Sequence, residues 1–210
     1  MPVTGWFAAA FVRVFRRSTV MRRNGFVFID CGVSSMALLN MSASQQPAGR
    51  PMPINDEAAR LKALRGTGLL DSAPDPAFDD LVSWACDHFQ VPIALVSLLD
   101  ADRQWFKARR GLAAQETPRD HAFCRFTIQQ SLPLVVEDAA ADPRFRDNPL
   151  VLGAPHIRFY AGAPIINRNG LALGSVCVID TAPRRFGMVD RMVLAQLTVT
   201  ALVTIEKRQC

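Results

Sequence analysis

The sequence predicts an α/β domain built around a largely antiparallel central sheet. Two observations lead to this fold class: segments of strand character occur mostly as neighbouring pairs joined by short turns, and segments of helix character alternate with them. Half of the 210 residues are hydrophobic, which is enough for one substantial core. We therefore expect a folded domain over residues 55–208, preceded by an extension over residues 1–54.

The extension has the composition of a segment without a fold of its own. Residues 1–40 contain five arginines and one acidic residue, Asp30, so they carry most of the formal net charge of +5. The apolar run over 1–12 is shorter than the roughly 20 residues of a membrane helix. Its positive charges follow the run, whereas those of a secretory signal precede it. We predict that residues 1–54 are a disordered extension, or that residues 1–40 belong to a mis-assigned start and the protein begins at Met41.

Composition and charge exclude several function classes. Residues 41–210 carry a net charge of only +1, without the basic stripe that a nucleic-acid backbone requires. The five cysteines are odd in number and widely spaced, which argues against a disulfide framework or a zinc site and favours a reducing compartment. The three histidines lack ligand-type spacing. The sequence therefore predicts a cytoplasmic protein that binds neither nucleic acid, membrane nor metal.

Two helices are predicted before the first strand of the domain. Asn55 can cap a helix that ends at Gly66 or two residues later. A second helix begins near Asp75 and Pro76, because proline in the first turn costs no hydrogen bond, and it stops before Pro92. Its apolar residues recur in three- and four-residue steps and form one buried stripe: Phe78, Leu81, Val82, Ala85 and Phe89.

The apolar run over 93–99 predicts a central strand that is buried on both faces. A turn over 100–102 leads to its hairpin partner over 104–108. Residues 109–120 are charged and rich in turn formers, and we predict a loop there. The next segments are a short helix that directs Phe123 and Ile128 inward, and a strand over 132–137.

The region from Asp142 to Asp180 is the most informative part of the chain. Proline and glycine punctuate an irregular segment over 139–155, with only short helical pieces. Strands over 157–166 and 171–180 flank Asn169-Gly170, a pair that readily takes the positive φ of a tight turn. Because a long loop beside a hairpin commonly builds a pocket against a sheet face, we expect the functional site here.

The chain closes with a predicted helix over about 188–207. It is apolar around most of its circumference, whereas a surface helix carries one narrower stripe. The additional apolar surface predicts that this helix is buried against a second subunit, and hence that the protein is a homodimer. No kinase, cyclase or phosphodiesterase segment follows before Cys210, so we expect the output activity to reside in a separate partner.

Six segments occur in an order that is typical of one family: 99–107, 116–120, 142–145, 148–151, 157–164 and 173–180. In this register, which extends over 55–208, the chain resembles a GAF domain of the bacterial kind found at the N-terminus of histidine kinases and diguanylate cyclases. The resemblance implies a six-stranded antiparallel sheet with helices on one face and a loop-lined pocket on the other. It also implies a non-catalytic sensor of an unknown small molecule, acting in signal transduction such as a two-component system through a histidine kinase or diguanylate cyclase.

The predicted pocket combines apolar walls with a few polar groups and two thiols. Only one of Phe159 and Tyr160 can face it, because successive strand side chains point to opposite faces. The alternative for the polar residues is that they, together with Asp142, only hold the long loop in shape. The candidates are Trp105, Phe123, Cys124, Asp138, Arg144, Phe145, Asn148, Arg158, Phe159, Tyr160 and Cys177.

Other interpretations stay open at this point. Cys124, beside Arg125, is a candidate nucleophile of a thiol-dependent reductase similar to free methionine sulfoxide reductases, or else a small buried side chain. Phytochrome-like GAF domains tether a bilin through a cysteine that is often followed by histidine, so Arg125 argues against a bilin cofactor. A degenerate GAF domain with a filled pocket would serve only for dimerisation. Arg168 and Asp190 are candidates for a structural ion pair.

Overall fold

The structure, a computed structural model, describes residues 20–23, 26–29 and 56–208. The chain divides into two compact units, residues 1–48 and 49–210. In the first unit, strands β1 (Val20–Arg23) and β2 (Phe26–Ile29) pair as an antiparallel hairpin. The hairpin falls inside the extension for which the sequence predicts no structure. The rest of that extension lies outside the described residues, so its disorder and the start at Met41 stay predictions.

The second unit is built on a six-stranded antiparallel sheet, as predicted. The strand order is β5-β4-β3-β8-β7-β6, with β3 and β8 in the middle. All seven residues of β3 are buried, which confirms the predicted central strand. The strands are β3 (Ile93–Leu99), β4 (Arg103–Arg110), β5 (Glu116–Pro118), β6 (Leu134–Val136), β7 (Phe159–Ile166) and β8 (Ala172–Asp180).

Five α-helices and one 3₁₀ turn (Arg119–His121) accompany the sheet in the described part of the second unit. The first is capped by Asp56, whose carboxylate accepts a hydrogen bond from the Ala59 amide at 2.9 Å, and not by Asn55 as predicted. The second starts after Asp75 as predicted. The helices are α1 (Glu57–Gly66), α2 (Pro76–Phe89), α3 (Cys124–Thr127), α4 (Pro149–Leu152) and α5 (Met188–Lys207).

The segment 109–120 departs from the predicted loop. Strand β4 continues to Arg110, and β5 adds a short edge strand that pairs with the start of β4. Arg103 holds this edge through its guanidinium, which lies 2.7 Å from the Glu116 carboxylate and 2.6 Å from the Asp71 carboxylate. Charged residues therefore sit in an edge strand here, where their side chains reach solvent.

The sheet separates two layers of different construction. The helix side is packed with α2, α5 and Leu64 of α1, and the loop side is covered by α3, α4 and irregular segments between β4 and β7. Alternation along β3 shows the division, because Leu98 belongs to the helix-side core and Leu95 to the loop-side core. The long irregular segment over 139–155 is present as predicted, interrupted only by α4 and turns.

Helix α5 has apolar residues on two opposite faces. Its inner face packs on the helix side of the sheet and contains the buried residues Leu194, Thr198, Ala201 and Ile205. At 100° per residue, the opposite face carries the exposed residues Met188, Val189, Met192, Val199 and Val203. By length and mean hydropathy of 1.5 alone this helix could cross a membrane, but its inner face is occupied by the domain's own core.

The candidate ion pair between Arg168 and Asp190 is wrong. Arg168 instead makes a two-pronged contact with Glu206 near the end of α5, at 2.9 and 2.8 Å. Asp190 accepts a hydrogen bond from the Gly187 amide at 3.0 Å and so caps the start of the same helix.

Candidate functional site

A cavity of about 240 Å³ lies on the loop side, against β3, β4, β7 and β8. Its inner wall is sheet and α3, and its mouth lies between two loops, 111–115 and 153–157, where Ala113, Ala114 and Ala154 are exposed. The lining is almost entirely apolar and contains no charged side chain. It consists of Ile93, Leu95, Gln104, Phe106, Leu112, Ala113, Ala114, Thr117, Ala122, Phe123, Cys124, Leu150, Ala154, Pro155, Ile157, Tyr160, Cys177 and Ile179.

Two polar atoms in this lining have no hydrogen-bond partner. They are Oε1 of Gln104, a residue that is 5% exposed, and Oγ1 of Thr117. The register of β4 and β5 places these two residues directly opposite each other. Leaving a buried polar group unpaired costs about 1–3 kcal/mol, so a fold keeps one where something else supplies the partner. A bound hydroxyl or amino group would donate to Gln104 Oε1 and exchange a hydrogen bond with Thr117 Oγ1.

A cluster of sulfur and hydroxyl groups surrounds Cys124; its members Cys124, Tyr160 and Cys177 line the cavity, and Ser97 and Ser175 lie behind them. The Cys124 Sγ lies 3.0 Å from Ser175 Oγ, 3.2 Å from Ser97 Oγ and 3.3 Å from the Tyr160 hydroxyl. Cys177 Sγ is 3.9 Å from the same sulfur. All five side chains are at least 99% buried. Three hydroxyls thus surround one thiol at distances that suit donation to sulfur.

The fold holds these hydroxyls in place by local means. Thr127 Oγ1 lies 2.7 Å from the Tyr160 hydroxyl, so donation from Thr127 leaves the Tyr160 proton free to point at Cys124. Ser97 Oγ is 3.0 Å from Ser175 Oγ, across the β3–β8 pair that places these residues opposite each other. Gly162 makes room for the Tyr160 ring, because a Cβ at this position would collide with its hydroxyl.

This environment separates the acidities of the buried groups. The hydrogen bond with Cys177, followed by those from Ser175, Ser97 and Tyr160, lowers the pKa of the Cys124 thiol from 9.0 to about 6, against the opposing effect of burial. The contact with Cys124 and burial raise the pKa of Cys177 well above 9.0. Burial and the neighbouring sulfur charge raise the pKa of Tyr160. Cys124 is therefore the group of this cluster that ionises first.

Four of the predicted pocket residues line the cavity: Phe123, Cys124, Tyr160 and Cys177. Tyr160 is the member of the 159/160 pair on the loop side, whereas Phe159 belongs to the helix-side core. Trp105 also belongs to that core, since its neighbours Gln104 and Phe106 take the loop side. Contact of the four with a ligand stays a prediction.

The other predicted candidates form the outer shell of the loop side. Phe145 stacks behind Phe123 with ring centroids 4.2 Å apart, and it is absent from the cavity lining. Asp138 caps a turn by accepting from the Ala140 amide at 3.0 Å, and Arg144 pairs with Asp142. These contacts correspond to the alternative in which the residues hold the long loop in shape.

Asn148 and Arg158 brace the loop in the same way. The Asn148 side chain accepts from the Leu150 amide at 2.9 Å, which caps α4, and donates to the His121 carbonyl at 3.0 Å. The Arg158 guanidinium donates to the carbonyls of Val151 and Ile157, each at 3.0 Å. Both side chains are committed to backbone partners and do not line the cavity.

The sequence did not single out two groups of polar residues: Gln104 and Thr117 in the cavity lining, and Ser97, Thr127 and Ser175 beside Cys124 and Tyr160. A serine inside each of two otherwise apolar central strands was the available signal, because a buried hydroxyl needs a partner. The structure supplies that partner in Cys124. Within residues 56–208, no group of three or more His, Cys, Asp or Glu side chains is placed to hold a metal ion.

The geometry agrees with comparisons to known proteins. The family model of the GAF domain matches residues 73–205, which is more than half of the chain. The chain belongs to the GAF domain family. A cyclic di-GMP phosphodiesterase of Pseudomonas aeruginosa is 49% identical to this GAF domain over 134 residues. That match covers 64% of this chain and 23% of the relative, so the chain spans under a quarter of the relative's length.

Solved structures show the same fold at low identity. The GAF domain of an Acinetobacter phosphoenolpyruvate-protein phosphotransferase superposes with a TM-score of 0.54 at 20% identity, over 71% of this chain and 93% of that chain. A free methionine-R-sulfoxide reductase of Neisseria meningitidis, solved with its substrate, gives 0.53 at 17% identity, over 83% and 98%. At these identities the likeness establishes the GAF fold and does not extend to activity.

Proposed function

We propose that this GAF domain is a non-catalytic, cytoplasmic sensor that binds a small molecule in the loop-side cavity. The observation that carries the proposal is the pair of unpartnered polar atoms, Gln104 Oε1 and Thr117 Oγ1, in an otherwise apolar and partly enclosed space. Apolar walls with a few fixed polar groups are the usual construction of a small-molecule site. The open volume argues against the alternative of a GAF domain with a filled pocket.

The lining restricts the chemistry of the ligand. A volume of about 240 Å³ admits a small molecule, and the absence of charged residues among its lining favours a neutral one. Gln104 Oε1 only accepts, so the ligand presents an N–H or O–H group toward β4 and β5. We infer a compact, mostly apolar ligand with one hydrogen-bond donor.

The exposed face of α5 is the proposed dimer interface, with a second copy of this chain as its partner. Val189, Met192, Gln196, Val199 and Val203 follow steps of three and four residues, which is the seam pattern of two-stranded coiled coils. Four of these five are exposed apolar side chains. A self-complementary seam of this kind pairs with its own copy, and a single polar Gln196 would set the register.

The proposed output is a signalling enzyme of the histidine kinase or cyclic di-GMP class. The support is the relative of 49% identity, which is a cyclic di-GMP phosphodiesterase and contains a domain of this kind within a longer chain. In this proposal the ligand orders the loops at the mouth of the cavity. The change then passes through the sheet to α5, which packs on β7.

Native mass spectrometry of the full chain tests ligand binding. The wild-type protein, purified without added ligand, is expected to carry extra mass that Ala122→Leu lacks, because the added side chain enters the cavity. Ala58→Leu, on the exposed face of α1, is the matched control and keeps the mass. A ligand at about 100 times its Kd adds about 2.7 kcal/mol, so the wild type also melts higher than Ala122→Leu. The proposal would be contradicted if none of the three proteins carried mass beyond that of its own sequence and all three melted at the same temperature.

Light scattering after size-exclusion chromatography tests the dimer. Val199→Glu places a charge in the seam and is expected to give a monomer, whereas the wild type is a dimer. Leu132→Glu makes the same kind of change at a residue that is 72% exposed outside α5, and it should leave the dimer intact. A wild-type monomer at every accessible concentration would refute the interface.

A further inference from the structure

Two buried thiols share the inner wall of the cavity, and reversible ligand binding makes no use of either. Cys124 on α3 and Cys177 on β8 both line it, with their Sγ atoms 3.9 Å apart. The mouth beside Ala113 and Ala154 is exposed, so a small molecule that enters the cavity reaches the sulfurs. Because α3 is a single helical turn between irregular segments, a small movement of it would bring the pair to bonding distance.

The two sulfurs differ in their surroundings. Cys124 Sγ has three hydroxyl groups within 3.3 Å, from Ser97, Tyr160 and Ser175. A neutral thiol is a weak acceptor, whereas a thiolate accepts several hydrogen bonds, so this arrangement favours ionised sulfur at Cys124. The hydrogen bond with Cys177, followed by those from the three hydroxyls, lowers the pKa of Cys124, whereas the contact with Cys124 and burial raise the pKa of Cys177. Cys124 is therefore suited to attack as the thiolate, and Cys177, which keeps its proton at first, to follow as that proton passes to the leaving hydroxyl group.

We propose that Cys124 reacts with a small hydroperoxide that enters the cavity, and that Cys177 converts the product into a Cys124–Cys177 disulfide. In the first step the thiolate attacks the terminal peroxide oxygen, so that an S–O bond forms and the O–O bond breaks. The alkoxide that leaves takes up the proton lost from Cys124. In the second step the Cys177 sulfur attacks Cys124, the S–O bond breaks, and hydroxide leaves with the Cys177 proton as water. Two thiols are oxidised and the hydroperoxide is reduced to an alcohol and water.

The cavity selects this class of oxidant by size and charge. Its lining lacks charged groups and is mostly aliphatic or aromatic, which suits a neutral alkyl hydroperoxide and excludes a charged oxidant. A disulfide would tie α3 to β8, the strand between β3 and β7 in the sheet. Since β7 packs against α5, formation of the disulfide would be transmitted through the sheet to α5, independently of a reversibly bound ligand.

The test treats the full, reduced chain with one equivalent of tert-butyl hydroperoxide, blocks free thiols, and maps unreduced peptides by mass spectrometry. The expected result is a cross-linked Cys124–Cys177 peptide. It should form about tenfold faster, or more, than oxidation of Cys86, which is buried in α2 on the helix side and serves as the internal control. A Cys124 that bridges to another cysteine, or that reacts no faster than Cys86, would overturn the proposal.

Three variants separate the roles of the residues. Cys177→Ala should leave sulfenic acid on Cys124, trapped by dimedone, and Cys86→Ala should behave as wild type. Tyr160→Phe keeps the ring but removes one of the three donors, so oxidation should slow about tenfold and its pH midpoint should rise. A packing role alone would not move that midpoint. Dimedone labelling of Cys177 in place of Cys124, or an unchanged midpoint in Tyr160→Phe, would contradict the assigned roles.

Discussion

The two faces of the central sheet show how one scaffold serves two purposes. On the helix side, Leu98 and Phe159 are completely buried under α2 and α5, in a core made of hydrophobic side chains. On the loop side the sheet is covered by short helices and irregular chain, and space, thiols and unpaired polar atoms remain. Long helices give a continuous packed layer, whereas a loop braced by its own backbone contacts leaves a cavity open. The helix side supplies stability, and the loop side carries the candidate site.

The largest expected effect separates two leucines of the same strand. Leu98→Ala on the helix side should cost about 3–5 kcal/mol of unfolding free energy, because it leaves a new cavity in a packed core. Leu95→Ala should cost nearer to about 2 kcal/mol, since Leu95 already borders open space and loses fewer contacts. Urea unfolding of both variants measures the difference. Equal losses, or a larger loss at Leu95, would break the distinction between the two sides.

The second prediction concerns the space reserved for Tyr160. Gly162→Ala should destabilise the domain by about 1–3 kcal/mol, because its Cβ collides with the Tyr160 hydroxyl. Displacing that hydroxyl also removes a donor from Cys124, so the pKa of its thiol should rise from about 6 toward the ordinary value. Urea unfolding and the ultraviolet titration of the thiolate record the two effects. A destabilised variant with an unchanged thiol titration would show that Tyr160 acts only in packing.

The third prediction compares the pH dependence of thiols on the two sides. The pKa of folded Cys124, about 6, lies below its ordinary value of 9.0, so its contribution to stability is full above pH 9.0 and is lost as the pH falls through 6. Burial raises the pKa of Cys86, so its contribution is present at low pH and is lost as the pH rises past 9.0. Cys124→Ser should therefore flatten the rise of unfolding free energy between these values, and Cys86→Ser should not. Identical slopes of unfolding free energy against pH in both variants would contradict the opposite pKa shifts of Cys124 and Cys86.

The smallest effect concerns the ion pairs that join the two sides at the sheet's end. Glu57 of α1 binds Arg60 and, at 2.7 Å, Arg119 of the loop-side 3₁₀ turn. The contact with Arg60, followed by that with Arg119, lowers the pKa of Glu57 from 4.5 to about 2. Because the carboxylate is 43% exposed, Glu57→Gln should cost only about 0.5–1 kcal/mol at neutral pH. The loss should vanish as the pH falls from 4.5 to 2; a constant loss at all pH values would point to packing.

Local patterns predicted the elements well, because caps, apolar periodicity and turn residues act over a few positions. The helices from Asp75 and Met188, the buried strand over 93–99 and the irregular 139–155 segment all follow from such patterns. The face on which a strand residue lies depends on the register of the strand, and a shift of one residue exchanges the two faces. The prediction placed Trp105 in the pocket, whereas its neighbour Gln104 lines the cavity and Trp105 lies in the helix-side core. Alternation left Phe159 and Tyr160 undecided for the same reason.

The thiol cluster illustrates what local patterns do not contain. Ser97 and Ser175 are 78 positions apart and meet Cys124 only through the pairing of β3 with β8 and the placement of α3. Arg144 and Arg158 are charged residues next to the predicted pocket in the sequence, which made them candidates for ligand contact. The Arg144 guanidinium pairs with Asp142, and that of Arg158 donates to backbone carbonyls. Only the folded loop brings these partners within reach.

The central claim is that Gln104 Oε1 on the loop side is an unpaired acceptor that a bound molecule satisfies. The free energy of unfolding of Gln104→Met, measured without ligand, tests this claim. If only a ligand pairs with Gln104 Oε1, an apolar side chain of similar size should stabilise the ligand-free protein by about 1–2 kcal/mol, because it removes an unpaired buried acceptor. Gln129→Met, at an exposed position, should change nothing and is the matched control. A loss of stability in Gln104→Met would show that Gln104 has a structural partner within the fold, and would contradict the account of the cavity as a binding site.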